Sequence, residues 1–392
     1  MEKDRLKILS ICSWYPNDFN PTLGNFVKKH AEAVSRYNDI VCLAIFPSLV
    51  DADIRLTEKI GESFSEIIVY YPKKQTKFRL WNLINNYFAH RKAFKKGYKA
   101  VQTIIGKPDL IHLNITYPLG IWALYLKWTQ NIPYLVTENA TGLHVGTDHS
   151  YPRTILFLCK RILRGANVLL PVSADLKSYM KQLSPKSRFE LISNVVDETI
   201  FVYEEDKPSE NKKSFIHIST CLDVHKNVSG MLHTINRISE YRKDFDLKII
   251  SDGEVGYAKD LVQKFGLDEI VSFYPTMSTA EIAAMISQSS ALLLFSNYEN
   301  FPCVIAETLM MGKPVISTNV NGIPEHVHAF NGVLVPKGDE QELEKAICMF
   351  LNDEIIFSPK DIHSYAFNHF SYQEVGRQFD HQYRNLLKSN NN

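Results

Sequence analysis

The chain has 392 residues, 45% hydrophobic and 22% charged, with a formal net charge of +1. That length exceeds one ordinary core and predicts two domains. The charge balance argues against a nucleic-acid binder, and no apolar run is long enough to span a bilayer.

In chain order, the opening "MEKDRLKILSICSWYP" reads as a short strand, not a signal peptide. Strands are predicted at 6–12, 39–46, 66–71, 109–114, 133–138, 167–173 and 189–194, with helices such as 24–37 between them. A second series begins near residue 214 with "SFIHIST", "DLKIIS", "IVSFYP", "SALLLFS", "PVIST" and "GVLVP". Strand and helix alternate in both series, so the expected class is α/β, with two Rossmann-like, doubly wound parallel-sheet domains. The expected domains are residues 1–200 and 201–372, with residues 373–392 as a closing helix returning to the first domain. The charged segment 202–213, "VYEEDKPSENKK", reads as the linker. The six cysteines form no CxxC pair and read as buried thiols of a cytoplasmic protein, against disulfides or zinc. Ligands of such sheets bind at the carboxyl ends of the strands, here in a cleft between the two domains.

The stretch "SNYENFPCVIAETLMMGKPVIS" concentrates the chemistry. A strand precedes it, Pro302 suits a first helical turn, and Gly312 suits a left-handed cap. Amides near Phe301, Pro302, Val304 and Ile305 are expected to face a diphosphate at the helix start. Glu299 lies just outside that helix and Glu307 within it, where a carboxylate suits the vicinal diol of a ribose. A pair of glutamates alone is weak evidence; its place after a strand and around a helix start makes it specific.

That stretch resembles the E-x7-E motif of retaining glycosyltransferases of the GT-B fold, family 4. "STCLDVHKN" resembles the family's phosphate-lysine segment with Lys226, "IISDGEV" its GDG turn, and "NVNGIPEHV" its GGxPE loop. "YPNDFNPTLGNFVKKHAEAVS" resembles its first glycine loop with Gly24, and "PVSADLKSYM" and "LISNVVDETIF" the end of its first domain. The resemblance implies sugar transfer, with retention, from a UDP- or GDP-linked donor to a glycan or lipid-linked hydroxyl. It implies no metal and no cofactor, with the nucleotide-sugar as a substrate. Glu307 would hold the ribose, Glu299 the sugar hydroxyls and Lys226 the diphosphate. His112 and Asn114 would lie near the reacting sugar, and Glu138 and Asn139 on the acceptor side.

The chain departs from the family pattern at Cys221, where an arginine is usual, and at Asn114 and Asn139, where histidines are usual. Simpler readings stand beside these. His112 reads equally as a satisfied strand histidine, Gly24 as a turn glycine, and "DAD" at 51–53 as a polar loop rather than a metal site. A nucleotide-sugar epimerase and a non-catalytic nucleotide-sugar-binding protein are the alternatives.

From Ile67 to Pro108 there are ten Lys and Arg and no Asp or Glu, interleaved with aromatic and aliphatic residues. Residues 73–99 are therefore expected to contact an anionic membrane, at the inner face. A solvated helix with its apolar side in the core explains the same pattern.

Overall fold

The structure, a computed structural model, describes residues 4–148, 150–204 and 212–390. In chain order the elements are β1 (Lys7–Cys12), α1 (Asn25–Ser35), β2 (Asp39–Ser48), β3 (Arg55–Lys59), β4 (Phe64–Pro72), α2 (Arg79–Ile105), β5 (Leu110–Asn114), α3 (Gly120–Gln130), β6 (Tyr134–Glu138), α4 (Arg153–Gly165), β7 (Val168–Pro171) and α5 (Ala174–Leu183). There follow β8 (Lys213–Ile218), α6 (Asp223–Lys226), α7 (Val228–Ser239), β9 (Phe245–Ile250), α8 (Gly256–Phe265), β10 (Val271–Tyr274), α9 (Thr279–Ser287), β11 (Ala291–Leu294), α10 (Cys303–Met310), β12 (Val315–Thr318), β13 (Gly332–Val335), α11 (Glu340–Leu351), α12 (Pro359–Phe370) and α13 (Tyr372–Asn390).

The chain divides into two compact units. One comprises Met1–Ser193 with Tyr372–Asn392, the other Asn194–Ser371. Of the segment read as a linker, residues 205–211 lie outside the described residues.

The first unit has a seven-stranded sheet in the order β3-β4-β2-β1-β5-β6-β7. All neighbours are parallel except the β3–β4 pair. Strands buried on both faces read as nearly continuous apolar runs, and β5 and β6 are buried at every residue. On one face α1 packs against α13, which buries Val375, Phe379, Tyr383 and Leu386.

The second unit has a six-stranded sheet in the order β10-β9-β8-β11-β12-β13, every pair parallel. Its core forms as two clusters, one around Phe215, Ile235, Leu293 and Ile347 and another around Ile216, Leu292, Ile305 and Phe370.

Two expectations are corrected. Residues 189–194 form no strand. Leu169 of β7 donates its N–H to Arg188 O at 2.9 Å and accepts from Glu190 N at 3.1 Å, giving one bridge to Phe189. The next donor on β7 would be Pro171, which has no N–H, so that rung is missing and the segment keeps only a long bond from Ile192 N to Pro171 O at 3.4 Å. The other miss is β3, "RLTEK", whose charged residues hide the strand pattern and suit an exposed edge.

Candidate functional site

In the second unit the chain lays down β8 in the middle of the sheet, moves outward through β9 and β10, and returns to β11 on β8's other side. The loops leaving β8 and β11 therefore part at a topological switch point, where doubly wound sheets bind ligands. Two of the expected residues sit on these two loops and meet. Lys226 Nζ lies 2.5 Å from Glu299 Oε1, with the two side chains 18% and 9% exposed.

Backbone bonds set this pairing. The loop after β11 donates Asn297 N and Tyr298 N to His225 O, at 2.7 and 3.3 Å, which fastens it to the short helix α6. Ser296 Oγ donates to Glu299 Oε1 at 2.8 Å. Asn321, in the loop after β12, accepts from Glu299 N at 3.3 Å. Glu299 Oε1 is thus committed to Lys226 and Ser296, while among the described residues no hydrogen bond reaches Oε2. A carboxylate fixed through one oxygen presents the other as an acceptor for hydroxyl groups.

Behind Lys226 stands a chain of contacts that the sequence did not reveal. His217 is buried in β8, with Nδ1 2.8 Å from Leu293 O and Nε2 2.7 Å from Ser219 Oγ. Burial lowers its pKa to about 4, against the Leu293 carbonyl, with Lys226 adding to the depression. The ring is therefore neutral near pH 7. Nδ1–H donates to the carbonyl, and Nε2 accepts the Ser219 hydroxyl. Ser219 Oγ in turn accepts from Cys221 N at 3.0 Å. This holds Cys221 at φ 52, a backbone conformation unusual for a non-glycine residue. Its side chain is fully buried in the core, so the position where the family carries an arginine offers no cation here. Tyr257 OH donates to Cys221 O at 2.6 Å, and Asp223 caps Ser229 through N and Oγ at 2.8 and 2.6 Å. The loop after β9 lies against the same segment: a Cβ at Gly253 would sit 2.0 Å from Thr220 O, so only glycine fits.

The helix that follows Glu299 and contains Glu307 is α10, with Pro302 as its N-cap and Gly312 left-handed at φ 73 beyond its end. Glu307 lies in its second turn and is 8% exposed. The expected run of free amides is shorter than the sequence suggests, because Ile305 N already donates to Pro302 O at 3.1 Å. Phe301, Val304 and Ile305 are buried by their side chains. Phe301 packs on His326 and Phe370, with ring centroids 4.4 and 5.4 Å away. Its carbonyl accepts from Asn194 Nδ2 at 2.8 Å.

The first unit has its own switch point, between β1 and β5. Gly24 caps α1 at φ 66, and a Cβ there would lie 2.6 Å from the Trp14 carbonyl carbon. Asn114 ends β5, buried, with Nδ2 on Ser10 Oγ at 2.9 Å and Oδ1 without a partner among the described residues. Ile115 follows at φ 65, a strained state for a β-branched residue. Ser13 Oγ on its carbonyl at 2.7 Å and its own N–H on Thr137 O at 2.9 Å hold it there. The sequence carried no signal for it.

His112 and Glu138 are fully engaged. His112 Nδ1 meets Tyr383 OH and Nε2 meets Thr137 Oγ1, both at 2.7 Å, and burial drives its pKa down to about 3. Both ring nitrogens are thus engaged by protein hydroxyls, the arrangement of a satisfied strand histidine. Glu138 is fully buried. Its Oε2 accepts from Thr116 N and Oγ1 at 2.9 and 2.6 Å, and its Oε1 from Asn139 N and Ala140 N at 3.0 and 2.8 Å. Burial raises its pKa despite these four bonds. The carboxylate ties the loops after β5 and β6 together and has no edge for an acceptor. Asn139 is half-buried beside it. Among the described residues no three His, Cys, Asp or Glu side chains group so as to hold a metal ion.

Two family models match consecutive stretches of the chain, one described as Glycosyltransferase Family 4 over residues 56–200 and one as Glycosyl transferases group 1 over residues 201–369. Among curated relatives, N-acetyl-alpha-D-glucosaminyl L-malate synthase of Bacillus anthracis is 25% identical over 72% of this chain and 76% of its own. A putative teichuronic acid biosynthesis glycosyltransferase of Bacillus subtilis is 23% identical over 98% of this chain and 100% of its own. Among solved structures, sucrose-phosphate synthase from Thermosynechococcus elongatus aligns with a TM-score of 0.78 at 20% identity, covering 98% of this chain and 100% of that one. Anabaena HepE in complex with UDP and glucose aligns with a TM-score of 0.70 at 17% identity, covering 96% and 99%.

Proposed function

The chain belongs to the family 4, group 1 glycosyltransferases of the GT-B fold, and on that premise we propose that it moves a hexose, with retention, from a UDP- or GDP-sugar to a hydroxyl of a glycan or lipid-linked acceptor. The product would be a surface polysaccharide or related glycoconjugate. The observation that carries this reading is the Lys226–Glu299 pair at the switch point of the second unit, with Glu299 Oε2 open.

In this reading a donor diphosphate draws the Lys226 ammonium to itself, and Glu299 turns its released acceptor capacity to the sugar hydroxyls. Negative charge grows on the β-phosphate as the glycosidic bond breaks. Once drawn to the phosphate, the ammonium stabilises that charge in the place a metal would take. Glu307 takes the ribose diol, and the amides ahead of Ile305 take phosphate oxygen. Gly24 lets backbone approach the donor, and Asn114, with its unpartnered Oδ1, contacts the sugar or acceptor. Asn139 remains an acceptor-side candidate. The enzyme works at the cytoplasmic face of a membrane, touching it through residues 73–99.

The test is nucleoside diphosphate release from a panel of UDP- and GDP-sugars, with and without acceptor, and NMR of the product's anomeric configuration. Turnover with inversion would sink the retaining mechanism. Epimerised donor without transfer, or binding without turnover, would replace the transferase by an epimerase or a binding protein.

A further inference from the structure

The crossovers from β4 to β5, β5 to β6 and β6 to β7 all run in one direction across the first sheet, so right-handed connections put α2, α3 and α4 on one face. Phe94 of α2 stacks on Trp122 of α3 with centroids 4.1 Å apart, and α3 packs on α4. These three helices contain no Asp or Glu. Their Lys and Arg number six on α2, one on α3 and four on α4. The helices of the opposite face, α1 and α13, carry both signs.

The two halves of α2 differ. From Ala93 onward it packs on the sheet through Ala93, Phe94, Tyr98 and Val101. Its first three turns bury nothing large: Leu80, Trp81, Leu83, Ile84, Tyr87 and Phe88 are between 45% and 71% exposed. The row Leu80, Ile84, Phe88 spans about 12 Å of helix and continues, at spacings of four, three and four, as Lys92, Lys95 and Lys99, all exposed. The preceding loop brings further charge beside the apolar turns. Asn82 binds Thr76 through N, O and Oγ1, and Asn86 binds Lys74 through N and O, so that exposed Lys73, Lys74 and Lys77 lie along the helix start. On α3 an exposed stripe of Ile121, Tyr125 and Trp128 adds to the face.

An apolar helix tip collared by lysines, on helices without carboxylates, matches an anionic bilayer in both its parts: acyl chains for the tip and headgroup phosphates for the collar. We propose that this three-helix face is a lipid-docking surface, with residues 78–88 inserting into an anionic leaflet and the lysines of α2 seated at its headgroups. The proposal extends the contact given above for residues 73–99 to a defined inserting segment and a whole face. Binding is read separately from turnover, so either can fail without the other.

The test is co-sedimentation of the full chain with phosphatidylcholine vesicles, with and without phosphatidylglycerol, alongside sedimentation velocity without lipid. One variant carries Leu80→Ser, Trp81→Ser and Ile84→Ser, another Lys92→Glu, Lys95→Glu and Lys99→Glu. Wild type is expected to bind only the anionic vesicles and to release with salt. The charge variant should bind about a hundredfold more weakly, and the tip variant should lose insertion, read as the blue shift of Trp81 emission in wild type. Unchanged nucleotide binding in both variants shows that they fold. Failure of wild type to bind, or equal binding by all three proteins, overturns the proposal. Concentration-dependent self-association that the tip variant abolishes, without lipid binding, assigns the face to a second copy instead.

Discussion

Glu299 and Lys226 illustrate how a single contact fixes what a residue can do. Each is mostly buried, so removing one partner leaves the other charge uncompensated. Lys226→Met is therefore expected to lower kcat by about a hundredfold or more through the lost phosphate cation, and to lower the unfolding midpoint as well. Glu299→Gln keeps the shape and the Ser296 bond but loses the charge. Its loss should appear in kcat with little change in nucleoside diphosphate affinity, which calorimetry with UDP and GDP would measure. An equal loss of diphosphate affinity in both variants would contradict the division of labour between them. Gly253→Ala tests the support behind the pair. A Cβ 2.0 Å from Thr220 O must push the β8 loop aside, costing roughly 1–3 kcal/mol of stability and weakening donor binding, although residue 253 carries no charge.

Elements show where local pattern is enough and where it is not. Gly312 ends α10 at φ 73, with a Cβ position 2.8 Å from both Pro359 O and the Tyr203 ring. Gly312→Ala should cost roughly 1–3 kcal/mol, seen as a fall of several degrees in the melting temperature. That cap, the alternation of strands and helices, and the glutamate segment were legible because each is written in consecutive residues. The His217–Ser219–Cys221 chain was not, because its far end is Leu293 O on a strand more than seventy positions away in sequence. The failed strand at 189–194 turned on the proline of its neighbour, β7, which no reading of that segment alone discloses. The bonds that engage His112 and Glu138 were hidden for the same reason: their partners Tyr383 and Thr116 lie elsewhere in the chain. In α2 both halves look alike as sequence, and only the sheet beneath the second half separates a packed helix from a bare one.

At the scale of the whole molecule, buried neutral histidines set the acid limit. His30 and His217 are held near a pKa of about 4 and His112 near about 3, each chiefly by burial. Unfolded, each titrates near 6.5, so the unfolded chain takes up protons that the folded chain refuses. Stability is thus fully present above about pH 6.5 and falls as pH drops toward 4, by about 1.4 kcal/mol per pH unit for each such histidine. Urea midpoints compared at pH 7 and pH 5 check this, and a midpoint that holds or rises on acidification would contradict it. The first unit also holds a feature with a temporal meaning. Its α13 supplies Phe379 beside His30 and Tyr383 to His112, yet is separated from the rest of that unit by the entire second unit. During synthesis the amino-terminal sheet must therefore wait, with one flank bare, while the following 178 residues, Asn194–Ser371, leave the ribosome, a delay on the order of ten seconds or more. The intervening unit, made in one uninterrupted piece, can finish first. A message cut short before the codon for Tyr372 would yield a well-folded carboxyl-terminal half tethered to an amino-terminal half that chaperones and proteases treat as unfinished.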